Sequence, residues 1–340
     1  MTNLVADVLT EYGGATRAVL FDYLPKAEPR EYLYNLVADY PSRGGRAFRP
    51  SLCIATTCAF GRSIQDAVLT AVSIELMHNA MLIHDDIQDE SEQRRGSPAL
   101  HVKEGIPLAI NAGDMLAHIS MKPLRDNHHR LGASLATRIM VETDRMGQES
   151  AEGQALELGW RRDNPANVTE ADYMRMVLKK TCWLTTIHPS RAGALIGTYG
   201  QIDADSLIRF GFFLGAAFQI QDDLLNLEGD EKKYGKELCG DIYEGKRTLM
   251  LIRLFELATE EERTKLRNFL GLPRIERTVE DVQWVYERMN HYRCIDYARQ
   301  AAHGLAGAAT YEFSRIYGPL PDSRDKQFLA ALPAWVIERS

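Results

Sequence analysis

Apolar residues recur at three- and four-residue spacing through most of the chain. That period predicts helices over residues 64–90, 105–122, 133–160, 169–199, 203–228, 245–258, 259–270, 278–290 and 293–317. Thr169, Thr259 and Thr278 each precede an acidic first turn, the composition of a helix start. No run alternates apolar and polar residues between turn signals, so no strand is predicted. Glycine and proline gather in short joints: Gly44-Gly45, Gly96-Ser97-Pro98, Gly271-Leu272-Pro273 and Gly318-Pro319-Leu320-Pro321. None is long enough to be a domain linker, and no repeat of domain scale is evident. The pattern predicts one all-α domain over residues 1–340.

Composition narrows the classes. Hydrophobic residues make up 45% of the 340, enough for a large core. A net charge of −7 and a pI near 5.8 exclude a generic nucleic-acid binder, which needs a basic surface. Five cysteines, Cys53, Cys58, Cys182, Cys239 and Cys294, stand at no zinc-like spacing and are odd in number. Reduced thiols in a cytoplasmic protein are the expectation. The opening Met-Thr-Asn-Leu-Val-Ala-Asp lacks the charged, apolar and small-residue order of a signal peptide, so none is expected. The longest apolar run, Phe210 to Ile220, is far short of the roughly 20 residues a bilayer demands, so no integral membrane segment is expected.

The chemistry gathers in two acidic clusters, Asp85-Asp86-Ile87-Gln88-Asp89 and Asp222-Asp223-Leu224-Leu225-Asn226. Each ends an apolar stretch that reads as a buried helix, and basic residues follow each. Positions i and i+4 share a helix face, so Asp85 points with Asp89, and Asp222 with Asn226. Carboxylates roughly 5–6 Å apart repel by about 3 kcal/mol at an effective dielectric near 20. They therefore call for cations, and oxygen donors favour magnesium held together with substrate phosphates. Arg94 and Arg95, adjacent in a loop, can serve two different diphosphates through their planar forks.

These segments resemble the trans-isoprenyl diphosphate synthases, and further blocks agree in that family's order. Gly44-Gly45-Arg46-Ala47-Phe48-Arg49-Pro50 resembles its isopentenyl-diphosphate loop, and Lys180-Thr181 its mid-chain KT motif. Phe218 through Asn226 resembles its second acidic motif, and Gly235-Lys236 through Lys246 its phosphate-gripping loop. The matches span about residues 44–250. The resemblance is closest to geranylgeranyl diphosphate synthases, whose second motif carries a similar DDxxNL pattern. It implies an all-helical bundle around a central apolar cavity, and a homodimer.

By that resemblance Asp85, Asp89 and Asp222 hold three Mg2+ ions over an allylic diphosphate, with Asp86 and Asp223 steering from behind. Arg94, Lys180, Lys236 and Lys246 complete the cage round the leaving group. Gly45, Arg46, Arg49, His78 and Arg95 grip isopentenyl diphosphate. The implied reaction ionises the allylic C1–O bond, lets the second substrate's double bond attack, and loses a proton to the released diphosphate. Gln219 and the carbonyls around Lys180 and Thr181 face the allylic cation.

Arg46 stands where the family usually has lysine, and Asn226 where it usually has aspartate. Product length should depend on Met81, Ala80 and Met77, one and two turns below Asp85. Their small or flexible side chains lead to the expectation of a C20 product, with C15 and C25 as the alternatives. Trp183 is a candidate to narrow the cavity, Pro189 to kink its helix, while His188 and Arg191 have no evident task. Two rivals carry different signatures. A class I terpene cyclase also ionises allylic diphosphates, but it needs no second diphosphate site and normally has an NSE-type metal motif, absent here. A non-catalytic regulatory subunit typically loses acidic clusters or basic grips that this chain keeps.

Overall fold

The computed structural model describes residues 2–228 and 238–339. Its helices, in order, are α1 (Thr2–Tyr23), α2 (Asn35–Ser42), α3 (Phe48–Ala59), α4 (Ile64–Gln88), α5 (Leu100–Glu104), α6 (Ile106–Leu131), α7 (Ala133–Asp163) and α8 (Glu170–Val177). They continue as α9 (His188–Gly197), α10 (Ile208–Glu228), α11 (Gly240–Glu244), α12 (Leu249–Leu257), α13 (Glu260–Leu270), α14 (Val279–His291), α15 (Cys294–Ile316) and α16 (Arg324–Glu338). The predicted spans fall on α4, α6 to α10 and α12 to α15, while α1, α2, α3, α5, α11 and α16 lie outside them. Thr169, Thr259 and Thr278 cap as read: their hydroxyls accept from the N–H groups of Asp172, Glu262 and Asp281.

Central helices α4 and α10 organise the bundle. α4 packs on α6 and α3, α10 packs on α15, and α7 packs on α6 and on the segment that follows α8. α4 is long and apolar enough to cross a membrane by length and composition, but 67% of its most apolar window is buried inside the protein. It is a core helix with neighbours on nearly every side. Among the described residues no disulfide joins any of the five cysteines.

Two features depart from the periodicity. The predicted helix over 169–199 is broken into α8, a π-helical segment Leu178–Ile187, and α9. In the π segment each turn is wider, and His188 N–H reaches back to Trp183 O. Pro189 sits in the first turn of α9, directly after the π segment, where it offers no N–H to the turn before it. Glycines let neighbouring helices press on this swollen turn. A side chain at Gly153 of α7 would meet the Lys180 backbone, and one at Gly215 of α10 would come 3.0 Å from Cys182 Cα.

The other departure is a two-rung antiparallel hairpin, Gln93–Arg94 against Ser97–Pro98. Strands of two residues leave no alternation to read in a sequence. Its turn residues Arg95 and Gly96 both take positive φ (53° and 72°), as a primed hairpin turn demands. This turn sends the side chains of Arg94 and Arg95 in different directions.

Trp183 does not narrow the cavity: it is 3% exposed and packs between the guanidiniums of Arg145 and Arg191. Arg191 is buried and forks onto Glu142 (2.6 and 2.8 Å) while also bonding Asp205 (2.7 Å). It ties α9 to α7 and to the turn before α10. His188 is buried beside Thr143.

Candidate active site

A cavity of about 390 Å³ opens between α4, α7, the π segment and α10. Asp85 and Asp222 both line it, so the two acidic clusters face one shared space. Around that polar end stand Arg94, Gln88, Gln154, Glu157, Lys180, Asp241 and Lys246. Away from it the wall turns apolar, with Met81, Leu82, Met176, Leu184 and Phe218.

The paired aspartates divide their labour. On α4, Asp85 is partly exposed to the cavity and faces Lys180 Nζ at 3.3 Å. Its neighbour Asp86 is fully buried; it accepts two bonds from Arg94 Nε (2.9 and 3.0 Å) and one from the Tyr40 hydroxyl (2.5 Å). On α10, Asp222 is open to the cavity. Asp223 is buried and accepts from Tyr173 (2.9 Å) and from Gln219 (2.7 Å). Burial, with Asp241 close by, pushes the Asp223 carboxyl well above the usual range. Thr181 in turn donates to Gln219 Oε1 at 2.8 Å, so a chain of hydrogen bonds links the KT motif to the second acidic motif. On α4 Asp85 serves the cavity while Asp86 holds Arg94 and Tyr40; on α10 both acids reach the cavity wall, Asp223 while bonded to Tyr173 and Gln219.

Asp89 caps α4 and is 1% exposed, set behind the wall. Arg161 (2.7 Å) and Lys246 (2.9 Å) hold it. Burial works against the Lys246 charge, yet Asp89, Glu244 and Asp241 keep its ammonium well above the ordinary value. Lys180 is held up likewise by Asp85 and Glu157. The Asn226 side chain is turned to another use. Its Oδ1 accepts from Asp241 N–H at 3.0 Å and its carbonyl from Cys239 N–H at 2.7 Å, which pins the loop carrying Lys246 to α10. Gly235 and Lys236 lie outside the described residues.

A smaller pocket adjoins the cavity, lined by Arg46, Arg49, His78 and Arg95 with Phe48, Glu75, Phe218, Trp335 and Arg339. Arg49, His78 and Phe218 line both spaces. Arg95 donates to Tyr40 O and Asn79 Oδ1 (3.1 and 3.3 Å), and Gly45 passes beside its guanidinium, where a Cβ would sit 3.0 Å from Nη2. Burial, then the nearby Arg49, pulls the His78 imidazole down to about 4, so it is neutral at pH 7. Arg94 thus serves the larger space and Arg95 the smaller.

Of the residues expected to set product length, Met81 lines the cavity. Ala80 turns away and packs with Leu76, Leu116 and Ile119 in the seam between α4 and α6, and Met77 packs into the core beyond the lining. Position i+4 repeats a helix face whereas i+5 does not, so Met81 follows Asp85 and Ala80 does not. Gln154, Glu157 and Arg161 of α7 belong to none of the sequence motifs. α7 is polar along most of its length, so these three positions do not stand out from their neighbours. Arg339 carried no local signal.

The candidate metal donors are all oxygens: the carboxylates of Asp85, Asp89 and Asp222, with Asp241 nearby. That set suits magnesium. Among the described residues no three His, Cys, Asp or Glu side chains converge to cage an ion unaided. Substrate oxygens would have to complete the shell, which is how magnesium is commonly bound.

A family profile described as polyprenyl synthetase matches residues 30–289. A short chain isoprenyl diphosphate synthase of Methanothermobacter thermautotrophicus is 34% identical over 335 residues, 98% of either chain. A geranylgeranyl pyrophosphate synthase of Geoglobus acetivorans is 31% identical over 342 residues, 99% of each. The crystal structure of geranylgeranyl pyrophosphate synthetase from Pyrococcus horikoshii superposes with a TM-score of 0.87 at 32% identity, covering 100% of this chain and 99% of that one. Identity from end to end, on the same helical frame, makes this chain a member of the polyprenyl synthetase family of trans-prenyltransferases.

Proposed function

We propose that the protein condenses isopentenyl diphosphate with an allylic prenyl diphosphate to give a trans-prenyl diphosphate, of which geranylgeranyl diphosphate is the expected product. One observation carries the reading: two pockets share the wall of Arg49, His78 and Phe218, one tipped with acids and basic groups over an apolar floor, the other ringed by arginines. Two diphosphates held side by side are what a condensation needs and what a cyclase does not.

Asp85 and Asp222 would hold Mg2+ together with the allylic diphosphate, and Asp89 would join them once Lys246 and Arg161 yield its oxygens; the metal would supply positive charge to the leaving diphosphate. Lys180, Lys246 and Arg94 supply fixed positive charge to the same oxygens, with no reorganisation at the moment of bond breaking. Lys236 belongs to this set by its motif. Arg46, Arg49, Arg95 and neutral His78 hold isopentenyl diphosphate so that its double bond meets C1 of the cation; such positioning is worth several kcal/mol. Gln219 and the Thr181 hydroxyl offer oxygen dipoles to the cation, and Met81, Met176 and Leu184 exclude water that would quench it. The released diphosphate takes the proton. A homodimer fits the family and the exposed Ile106 and Ile110 on α6.

The test is incubation with Mg2+, isopentenyl diphosphate and farnesyl diphosphate, then chromatography of the dephosphorylated product. Geranylgeraniol supports the reading. A cyclic hydrocarbon, or no elongation with any starter, rejects it.

A further inference from the structure

Arg339 stands between the two pockets. It caps α16, 7% of its side chain is exposed, and its guanidinium lies over the Phe218 ring, 3.7 Å from the centroid. Nη2 donates to Asp222 Oδ1 and to Phe218 O, both at 2.8 Å. Gln221 Nε2 donates back to the Arg339 carbonyl at 3.2 Å. The same side chain lines the small pocket beside Arg46, Arg49 and Arg95, where Glu75 is the one carboxylate in the lining. So one guanidinium touches the acid of the first site while bordering the anion pocket of the second.

Those two attachments compete. Asp222 Oδ1 is an oxygen that a cation bound with the allylic diphosphate would take, and a guanidinium loses its hold on a carboxylate whose charge is already neutralised. An arginine paired to Asp222 is, conversely, partly withheld from a diphosphate in the small pocket. Resting on the function proposed above, we infer that Arg339 is a positioning residue that couples the sites. Loading of Mg2+ and allylic diphosphate at Asp222 hands Arg339 to the diphosphate of isopentenyl diphosphate, and so strengthens its binding. Coupling of this kind is reciprocal, and is typically worth about 5- to 150-fold in affinity.

The experiment is calorimetric titration of the full chain with isopentenyl diphosphate, alone and after saturation with Mg2+ and farnesyl thiolodiphosphate, which resists ionisation. The wild type should bind about tenfold more tightly after saturation. Arg339→Gln should bring that ratio near one and, with Asp222 relieved of its competing guanidinium, should bind thiolodiphosphate and Mg2+ more tightly than the wild type; Arg339→Lys should restore part of the ratio. Asp222→Asn should bind isopentenyl diphosphate tightly without metal, because Arg339 is then already released. A ratio near one in the wild type overturns the coupling alone, and a full ratio in Arg339→Gln overturns the role of Arg339. Failure of the wild type to bind isopentenyl diphosphate under any condition overturns the proposed function and the coupling with it.

Discussion

Gly153 of α7 lies against the backbone of Lys180: a methyl group built on Gly153 would overlap Lys180 N and stand 2.6 Å from its Cα. The neighbour is backbone, which cannot rotate aside. This close approach lets a widened π turn carry Lys180 to Asp85 and Thr181 to Gln219 at once. Gly153→Ala should therefore push the π segment off α7. Overpacking of this sort costs about 1–3 kcal/mol, and the displaced Lys180 should lower kcat more than tenfold. Thermal unfolding and steady-state kinetics on one preparation check both, and an alanine variant of normal activity would refute the close-packing argument.

The adjacent aspartates of α4 should fail in different ways. Asp85→Ala removes a partly exposed cavity acid, so turnover should drop by about 2–4 kcal/mol of barrier with little change in stability. Asp222→Ala should behave similarly. Asp86→Ala instead strands the buried guanidinium of Arg94, which costs about 3–5 kcal/mol of folding free energy. Urea unfolding beside kinetics separates the cases, and equal stability losses at 85 and 86 would contradict the assignment.

Product length should answer to Met81 rather than Ala80. Met81→Phe places a ring in the cavity and should shorten the main product by one isoprene unit. Ala80→Phe should press on α6 and destabilise by about 1–3 kcal/mol without a matching shift in product. Chromatography of dephosphorylated products decides, and the reverse pattern would overturn the assignment of faces.

Gly45 holds φ +147° and leaves no room for a Cβ beside Arg95. Gly45→Ala strains the backbone there and shifts that guanidinium. The KM for isopentenyl diphosphate should rise several-fold while that for the allylic substrate stays put. Equal changes in both KM values would count against separate pockets.

Acid should weaken the fold through two buried histidines. Burial lowers His78 and His188 to about 4 from an ordinary 6.5. The unfolded chain then binds their protons more tightly, so their share of stability is complete above pH 6.5 and is lost as pH falls toward 4. At pH 5 each loses about 2 kcal/mol. His188 lies outside the cavity lining, so His188→Gln should shrink the drop in unfolding free energy between pH 7 and pH 5 by about that amount. An unchanged pH slope in this variant would refute the histidine's part.

Helical class, the core helices and the acid and base motifs were legible because each is local. A period of 3.6 marks α4 and α10, Thr259 three residues before Glu262 marks a cap, and an acidic run after an apolar stretch marks a helix end at a cavity. The hairpin at 93–98 was illegible for a local reason too, since two rungs make no period. So was the π turn, whose apolar spacing over 169–199 reads as continuous helix, because the room for its extra width comes from distant glycines on α7 and α10.

What the chain determined by itself was which residues could meet a diphosphate: charge, donor geometry and helical phase fix that within a few residues of one another. Only the tertiary structure decided which of two neighbouring aspartates looks into the cavity and which is spent on Arg94. It also decided that Ala80 faces α6 and that Arg339 reaches Asp222. Side-chain direction at a packed helix depends on where its neighbours press, and contacts between distant segments leave no mark on either one alone.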